Sequence, residues 1–363
     1  MINVTKSELP SLSRYNSYLK KIWKTAWLTN NGALLQELES KLLQFLGIPH
    51  ISMLSNGTLA LQFAIRALHA KQGSEIITTP FTFVATTNAI LYEGLTPVFA
   101  DIDPETFTIS PSEVEKKITK KTKAILAVHV YGNPCDVTAL SRLAKQYGIA
   151  LIYDAAHAFG VEYAGKSVLA YGDMSTLSFH ATKVFNTIEG GAVVSTKKAT
   201  IDYINLLRNF GILSEEKSIL AGVNAKMNEF QAAMGLCNLQ NVERSINRRK
   251  QIYNTYVAAL SDNKSFTFQK LIASKYNYAY MPVLFPSKKI RDTAYGALSQ
   301  VGIKPRKYFY PLVTDFEFIS KNLKKTDVFP NAQTVADRVL CLPLYSTLAA
   351  KDVKRIIRLL SYI

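Results

Sequence analysis

Short apolar runs alternate with amphipathic segments along the first two thirds of the chain. Ala124–Val128, Ala150–Tyr153 and Ala192–Val194 are apolar at successive positions, which predicts strands buried on both faces. Leu59–Leu68 and Ala139–Tyr147 carry apolar residues at helical spacing, which predicts helices between strands. Strands that alternate with helices predict an α/β fold with a mainly parallel central sheet flanked by helices.

The pattern changes near residue 245. A helix rich in Lys and Arg is predicted to begin at Val242, and a short strand is predicted at Ala279–Leu284. Helices are predicted at Arg291–Val301 and Ala349–Tyr362. We therefore expect a large domain over residues 1–245, including the N-terminal segment, and a smaller C-terminal α+β domain over residues 246–363.

Composition narrows the class of protein. The chain has 363 residues, 48% of them hydrophobic, and no apolar run long enough to span a bilayer. Its first residues lack the apolar stretch of a signal peptide. Cys135, Cys237 and Cys341 are far apart and odd in number, which favours reduced thiols over a disulfide frame or a zinc site. We expect a cytoplasmic protein with no metal site and no membrane association.

The formal charge of +16 raises the alternative of a basic, nucleic-acid-binding regulatory protein. The basic residues are dispersed in short clusters, which is typical of solvated helix faces. No helix-turn-helix and no basic stripe interleaved with aromatic residues stands out. The pattern therefore favours a protein without a nucleic-acid partner, although a polyanionic small substrate also suits the charge.

One segment matches the phosphate-binding P-loop pattern letter for letter. It is Gly160-Val-Glu-Tyr-Ala-Gly165-Lys166-Ser167. A P-loop requires a strand directly before it and a helix directly after it. Here the preceding residues resemble the end of a helix, and VEYAGKSV resembles a hairpin with Ala164-Gly165 at its turn. We interpret the match as coincidental.

Asp154 directly follows a predicted strand and precedes AAHAF, a predicted helix. In parallel sheets the chemistry lies at the carboxyl ends of the strands. Asp154 could cap the helix, or it could hold a pyridine nitrogen protonated as a buried carboxylate.

Three further segments could have either an ordinary structural role or a role in binding or catalysis. Ser55–Thr58 is a glycine turn opening into a helix, either a plain N-cap or an anion site for a phosphate. Phe83 could stack on an aromatic ring or lie in the core. Ser178 could bind a phosphate or face solvent, and Lys183 in SFHATKV could form an imine or lie exposed.

The order of these motifs resembles one family, the DegT-type pyridoxal-phosphate aminotransferases that act on nucleotide-linked keto sugars. The resemblance covers nearly the whole chain, from Trp27 to Leu348. The segments that carry it are WLTNNG, SNGTLAL, TPFTFVAT, VHVYGNPCD, DAAHAFG, SFHATK with EGG, GVNAKMNEFQAAMG, PRKYFYPL and LCLPLYSTL. It implies an aspartate-aminotransferase-like fold, fold type I of the pyridoxal-phosphate-dependent transferases.

The resemblance implies the catalytic group. Lys183 would form a Schiff base with pyridoxal 5'-phosphate, which passes through the pyridoxamine phosphate form. Asp154 would pair with the protonated ring nitrogen. His157 would hydrogen-bond the ring oxygen, at a position where many members carry glutamine.

The remaining cofactor contacts also follow from the resemblance. Phe83 would stack on one face of the ring, and Ala156 would lie against the other. Gly57, Thr58 and Ser178 would bind the phosphate.

A second subunit is implied as well, because Asn224 would reach the phosphate of the neighbouring subunit's cofactor. We therefore expect a homodimer with shared active sites. The expected substrate-binding residues are Asn31, His180, Lys226, Arg306 and Tyr308. Val313 stands where a histidine is common in the family, so no histidine role is carried over there.

The expected reaction moves an amino group from L-glutamate to a keto sugar. Relatives that aminate the C4 carbon commonly show SFH before the lysine, and this chain has His180 there. We expect amination at C4 of a dTDP-linked 4-keto-6-deoxy sugar for surface polysaccharide such as O-antigen. Amination at C3, or at C4 of a GDP- or UDP-linked sugar, remains the alternative.

Overall fold

The computed structural model describes residues 1–262, 265–321, 323 and 327–362. In chain order the strands are β1 (Ile2–Asn3), β2 (Ile51–Leu54), β3 (Glu75–Thr78), β4 (Thr96–Phe99), β5 (Thr122–Val128), β6 (Ala150–Asp154), β7 (Glu162–Tyr163), β8 (Lys166–Ser167), β9 (Met174–Ser178), β10 (Gly191–Val194), β11 (Ile212–Ser214), β12 (Lys217–Ser218), β13 (Thr267–Phe268), β14 (Met281–Leu284), β15 (Ile303–Lys304) and β16 (Val339–Leu342). The helices are α1 (Leu12–Thr25), α2 (Ala33–Leu46), α3 (Gly57–Arg66), α4 (Val84–Tyr92), α5 (Pro111–Lys117), α6 (Val137–Tyr147), α7 (Lys198–Leu207), α8 (Glu229–Leu239), α9 (Val242–Leu260), α10 (Lys288–Gln300), α11 (Glu317–Ser320), α12 (Pro330–Arg338) and α13 (Ala350–Leu360).

A central sheet organises the first part of the chain. Within the described residues it has seven strands in the order β2-β10-β9-β6-β5-β3-β4. Only β10 in this sheet runs antiparallel to its neighbours; the other pairs are parallel. The predicted α/β class with a mainly parallel sheet is confirmed.

Two apolar cores cover the two faces of this sheet, and successive strand residues alternate between them. Ile76 of β3 faces the core that includes α3 and α7, whereas Ile77 faces the core that includes α2, α6 and α8. Burial on both faces explains why the strands read as continuous apolar runs in the sequence.

The helices begin earlier than their apolar pattern because polar residues cap them. Asn56 and Asp136 accept hydrogen bonds from backbone N–H groups of the first turns of α3 and α6. Ser287 does the same for α10, which starts three residues before the predicted helix at Arg291.

The last third of the chain forms a second sheet with its own apolar core. Strands β13, β14 and β16 are antiparallel, and α9, α10 and α13 contribute to the core beside them. The predicted boundary at residues 245/246 falls inside α9, and β1 pairs with β15. The first residues therefore pack on the C-terminal part, while the division into two domains stays a prediction.

None of the helices that the described residues form combines the length and apolar character needed to cross a membrane.

Candidate active site

Several strand ends meet at one edge of the central sheet. Gly191 begins the antiparallel β10 and pairs both with Leu54 at the end of β2 and with Ser178 at the end of β9. Asp154 ends β6, and its register partner on β9 is Thr176. The candidate residues that follow these ends are therefore neighbours at the carboxyl edge.

Asp154 is a buried carboxylate held by two hydrogen bonds. Its Oδ2 accepts from Thr86 Oγ1 at 2.8 Å, and its Oδ1 accepts from the backbone N–H of Ala156 at 3.1 Å. Burial raises the pKa of Asp154 above its usual value, and the two hydrogen bonds and the charge of Lys183 oppose that rise. A poorly solvated, fixed carboxylate of this kind favours a cationic partner.

Lys183 lies on the turn that follows β9, where its backbone N–H donates to the His180 carbonyl at 2.9 Å. The side chain is half-buried, and a small cavity beside it is also lined by Ala156, His157 and Tyr280. Burial lowers the pKa of Lys183 to about 8, while the charge of Asp154 acts in the opposite direction. The amine can therefore be neutral, and nucleophilic, near physiological pH.

His157 is almost fully buried three residues after Asp154. Its Nδ1 accepts a hydrogen bond from the backbone N–H of Tyr131 at 3.2 Å. Its ring lies 4.8 Å from the ring of Tyr280 and 6.1 Å from that of Phe309, centroid to centroid. Burial first, and the charge of Lys183 second, lower the pKa of His157 well below its usual value, so the imidazole is neutral.

The start of α3 meets the end of β9 at Gly57 and Ser178. Asn56 caps α3 by accepting from the Leu59 N–H at 2.9 Å, so the N-cap reading is confirmed. A Cβ at Gly57 would lie 2.8 Å from the Cβ of Ser178, so glycine allows the start of α3 to approach the end of β9 this closely. Thr58 is exposed next to it. The amides of a first helical turn beside the hydroxyl of Ser178 suit a phosphate.

Phe83 directly precedes α4 and is 54% exposed. The alternative of an ordinary core phenylalanine is therefore wrong. Ala156 lines the cavity beside Lys183. An exposed aromatic ring next to α4, the helix that carries Thr86, offers a stacking surface near the Asp154 carboxylate.

These groups fit pyridoxal phosphate. The buried carboxylate of Asp154 suits a protonated ring nitrogen, and the first-turn amides of α3 beside Ser178 suit the phosphate. The charge of Asp154 also acts on the pKa of Lys183, so the amine and the carboxylate lie in the same site.

His180 lies on the exposed side of the Lys183 turn. Its Nδ1 is 2.8 Å from Thr182 Oγ1, and its Nε2 is 3.5 Å from Glu189 Oε1. The side chain is half-exposed, so it can meet a ligand that approaches Lys183 from solvent.

Tyr308 and Arg306 lie on the Tyr280 side of the site. The guanidinium of Arg306 is 4.5 Å from the centre of the Tyr308 ring. That ring is 5.6 Å from the ring of Tyr280, which in turn contacts His157. Tyr308 therefore contacts Tyr280, which contacts His157, whereas Arg306 is exposed to solvent.

Asn31, Asn224 and Lys226 lie on loops away from these contacts. Asn224 is exposed and forms a backbone bridge with Asn209. The amine of Lys226 donates to Asn209 Oδ1 at 2.8 Å and lies 5.1 Å from the ring centre of Phe210. Asn31 is exposed in the turn before α2. None of the contacts that the described residues make around Lys183 and Asp154 involves these three.

The helix expected over AAHAF is not formed. Residues 155–161 form successive turns, in which Ala158 N–H donates to the Ala155 carbonyl and Val161 N–H to the Ala158 carbonyl. The prediction was wrong because this short segment closes two successive four-residue turns, Ala155–Ala158 and Ala158–Val161, instead of a helix. Asp154 is therefore no helix cap; its carboxylate binds the Ala156 N–H and Thr86.

The P-loop match is a β-hairpin, as its turn residues predict. Strands β7 and β8 pair antiparallel, and Ala164 and Gly165 have φ values of 49° and 75° at the turn. A hairpin does not provide the strand-loop-helix geometry that a P-loop requires.

Sequence reasoning missed several residues that shape the site. Thr86 holds Asp154, Tyr131 holds His157, and Glu189 faces His180. Thr86 and Tyr131 lie inside two motifs that carry the family resemblance, TPFTFVAT and VHVYGNPCD. Nothing in a single sequence shows which hydroxyl or amide of a motif points to a residue far along the chain.

A half-buried lysine and a buried carboxylate lie at the carboxyl edge of a mainly parallel sheet, together with the first-turn amides of α3, and this combination indicates the class of protein. It is that of pyridoxal-phosphate-dependent transferases of fold type I. The chain belongs to the DegT/DnrJ/EryC1/StrS aminotransferase family, whose model matches residues 13–361. The expected fold class, family, aminotransferase activity and cofactor are thereby confirmed.

Individual relatives cover almost the whole chain. A dTDP-4-amino-4,6-dideoxy-D-glucose transaminase of Escherichia coli is 44% identical over 99% of this chain and 98% of its own length. A GDP-perosamine synthase of Vibrio cholerae is 32% identical over 98% of this chain and 97% of its own.

Solved structures of other proteins have the same fold over most of the chain. DesI in the presence of its TDP-sugar product has a TM-score of 0.92 at 32% identity and covers 99% of this chain and 92% of its own. NtdA from Bacillus subtilis with bound cofactor PMP has a TM-score of 0.90 at 25% identity and covers 97% of this chain and 81% of its own.

Proposed function

We propose that this enzyme transfers the amino group of L-glutamate to the C4 keto group of dTDP-4-dehydro-6-deoxy-D-glucose. The product would be dTDP-4-amino-4,6-dideoxy-D-glucose. The observation that carries the chemistry is the position of Lys183, on the turn after β9, and of the buried Asp154, at the end of β6, at the same edge of the sheet. The choice of sugar rests on the 44% identity to the Escherichia coli transaminase against 32% to the GDP-perosamine synthase.

Lys183 and Asp154 would share the proton chemistry. Pyridoxal phosphate, when bound, supplies an electron-withdrawing ring and carries the amino group between donor and acceptor. Burial lowers the pKa of the Lys183 amine to about 8, so near neutral pH the amine can both give up a proton at Nζ and take it back. Asp154 provides the fixed negative charge that favours a protonated ring nitrogen. Such acid-base assistance contributes about a hundred- to ten-thousand-fold to the rate.

The other cofactor residues would orient the ring. His157 would donate to the ring oxygen, Phe83 would cover one face, and Ala156 would lie at the other. Gly57, Thr58 and Ser178 would hold the phosphate, which positions the ring at the amine. The list of substrate contacts that we propose is Asn31, His180, Lys226, Arg306 and Tyr308, the cations among them serving the pyrophosphate.

A panel of nucleotide sugars tests the substrate. The purified enzyme with L-glutamate should give the highest kcat/KM with dTDP-4-dehydro-6-deoxy-D-glucose and at least about tenfold less with the GDP- and UDP-linked 4-keto sugars. A 3-keto isomer should not be aminated. A higher kcat/KM with the GDP-linked sugar would overturn the choice of nucleotide, and amination of the 3-keto isomer would overturn the choice of carbon.

We also propose that two copies form a dimer with shared sites. Large apolar side chains are exposed in the single chain near α1 and on the β11–β12 hairpin, among them Trp23 at 71%, Trp27 at 54% and Leu213 at 57%. Exposed apolar groups at this density are typical of an interface. Asn224 lies exposed on the loop after that hairpin, where it could reach a second subunit's phosphate.

Subunit complementation tests the shared site. A site built from Lys183 of one subunit and Asn224 of its partner is intact once in each mixed dimer of Lys183→Ala and Asn224→Ala chains. Co-refolding equal amounts should therefore restore about a quarter of the wild-type sites. If the mixture is no more active than the sum of the two variants, Asn224 does not act across the interface.

We place the reaction in the cytoplasm, because nucleotide sugars are made and used there and the three cysteines are free and buried. The amino sugar would serve as a building block for surface polysaccharide such as O-antigen.

A further inference from the structure

The backbone beside His157 is held in an uncommon conformation. Tyr131 has φ of 60° and Gly132 has φ of 93°, so two successive residues lie in the left-handed region. A large aromatic residue rarely adopts this conformation, because its Cβ crowds the following carbonyl. Such outliers persist only where surrounding contacts fix them, and they cluster at functional sites.

Contacts on every side fix this turn. The Tyr131 hydroxyl donates to the Tyr308 carbonyl, and the Tyr131 carbonyl accepts from the Tyr276 hydroxyl at 2.8 Å. Asn277 Nδ2 donates to the His157 carbonyl at 2.8 Å. A Cβ on Gly132 would lie 2.7 Å from that same carbonyl oxygen, so the turn and the His157 backbone are in close contact.

The result of this arrangement is one directed hydrogen bond. The Tyr131 N–H points at Nδ1 of His157, with a distance of 3.2 Å between the nitrogens. A neutral imidazole carries one proton, and a ring nitrogen that accepts a hydrogen bond cannot carry it. The proton of His157 must therefore be on Nε2.

We propose that Tyr131 is a positioning residue that fixes His157 as its Nε2–H tautomer, so that His157 presents a hydrogen-bond donor to the ring oxygen of the cofactor. This inference rests on the proposed function only in taking that cofactor to be pyridoxal phosphate. With the other tautomer, the Nε2 lone pair would face a negatively charged oxygen and repel it. The pKa of His157, held well below its usual value by burial, keeps the ring neutral and leaves the tautomer as the only variable.

The direct test is the nitrogen NMR spectrum of the cofactor-free protein labelled at histidine with 15N. The chain has five histidines, and the His157 signals are those missing from His157→Gln. We expect an unprotonated Nδ1 and a protonated Nε2 that do not titrate between about pH 6 and pH 8. A protonated Nδ1, or a doubly protonated ring in this range, would overturn the proposal.

Two replacements of His157 distinguish the role of Nε2 from that of Nδ1. The amide of His157→Gln reaches the position of Nε2 and can donate there, whereas the amide of His157→Asn reaches only the position of Nδ1. The dissociation constant of pyridoxal phosphate should stay within about threefold for His157→Gln and rise about tenfold for His157→Asn. The visible absorption band should shift only in the asparagine variant. Equal losses in both variants would contradict a donor role for Nε2.

Gly132→Ala perturbs the turn itself. The added Cβ should move the Tyr131 N–H away from His157, so the nitrogen spectrum should show a mixture of both tautomers and the cofactor should bind more weakly. Tyr131→Phe keeps the backbone N–H and loses only the hydroxyl contact with Tyr308. The hydrogen bonds from Tyr276 and Asn277 still hold the turn in this control, so its His157 spectrum should match the wild type. A Tyr131→Phe protein with a changed tautomer would contradict positioning through the backbone. All of these readouts use no sugar, so they are independent of the sugar proposal.

Discussion

At the scale of single residues, the site depends on two groups that change each other's protonation. Burial pushes Lys183 toward its neutral form and Asp154 toward its protonated form, while each charge stabilises the other. The balance leaves a lysine whose pKa is about 8, low enough to react and high enough to hold a proton.

The reactivity of Lys183 should therefore follow an unusual pH profile. With a pKa of about 8, roughly a tenth of the amine is neutral at pH 7, ~300-fold more than for an ordinary lysine. Labelling of the cofactor-free protein with an amine-acylating reagent, followed at Lys183 by mass spectrometry, should rise with pH, be half-maximal near pH 8 and then level off. Lys41, whose pKa is raised by its hydrogen bond to Glu37, is the internal control and should level off later.

The Asp154→Asn variant tests whether the charge of Asp154 affects the pKa of Lys183. The charge of Asp154 raises the pKa of Lys183, so its removal should move the labelling midpoint to lower pH. A midpoint that does not move, or that moves up, would show that the two groups are not electrostatically coupled.

Two adjacent threonines offer a matched test of the support for Asp154. Thr86 and Thr87 are both fully buried, but only Thr86 donates to Asp154; the Thr87 hydroxyl has no partner among the described residues. Thr86→Val should cost about 1–2 kcal/mol of unfolding free energy in urea and weaken cofactor binding. Thr87→Val should change stability by less than about 0.5 kcal/mol. Equal losses of stability in the two variants would mean that the loss comes from replacing a buried hydroxyl and not from breaking the hydrogen bond to Asp154.

The sequence predicts the residues that would contact the cofactor better than it predicts the residues that hold them in place. Lys183, Asp154 and Phe83 each had an ordinary reading, and the order of motifs supplied the preference. Thr86 and Tyr131 could not be predicted, because their roles depend on contacts with residues 68 and 26 positions away.

At the scale of elements, most strands and helices follow from apolar periodicity and caps. The failure at AAHAF shows the limit, since a five-residue segment between Asp154 and Gly160 cannot complete the turns that stabilise a helix. Helix α2 shows a different limit. Its N-cap is Gly32, which has no side chain, and its first-turn amides are instead bound by a distant residue.

That residue is Glu229 at the start of α8. Its carboxylate is buried and accepts from the N–H groups of Leu34 and Leu35, both at 2.9 Å. Glu229→Ala should cost about 2 kcal/mol in urea unfolding, because two helix-end donors lose a charged acceptor. Glu37→Ala on the exposed face of α2 breaks only a pair with Lys41 and should cost less than about 0.5 kcal/mol. A small loss for Glu229→Ala would show that water replaces the cap.

At the scale of the whole molecule, the pattern of apolar residues does not predict which distant segments pair with each other. Strand β1 joins β15 across some three hundred residues, and neither two-residue strand has a readable period. The exposed apolar residues near α1 and on the β11–β12 hairpin likewise look like core positions in the sequence. Their exposure in the folded chain is what supports the proposed dimer.

The transfer of labelled nitrogen tests the central claim most directly. The enzyme is incubated with 15N-labelled L-glutamate and dTDP-4-dehydro-6-deoxy-D-glucose, and the sugar product is examined by mass spectrometry and NMR. We expect one 15N atom bonded to C4 of the sugar, and no labelled product with Lys183→Ala. Nitrogen at another carbon, no transfer by the wild-type enzyme, or normal transfer by Lys183→Ala would contradict it.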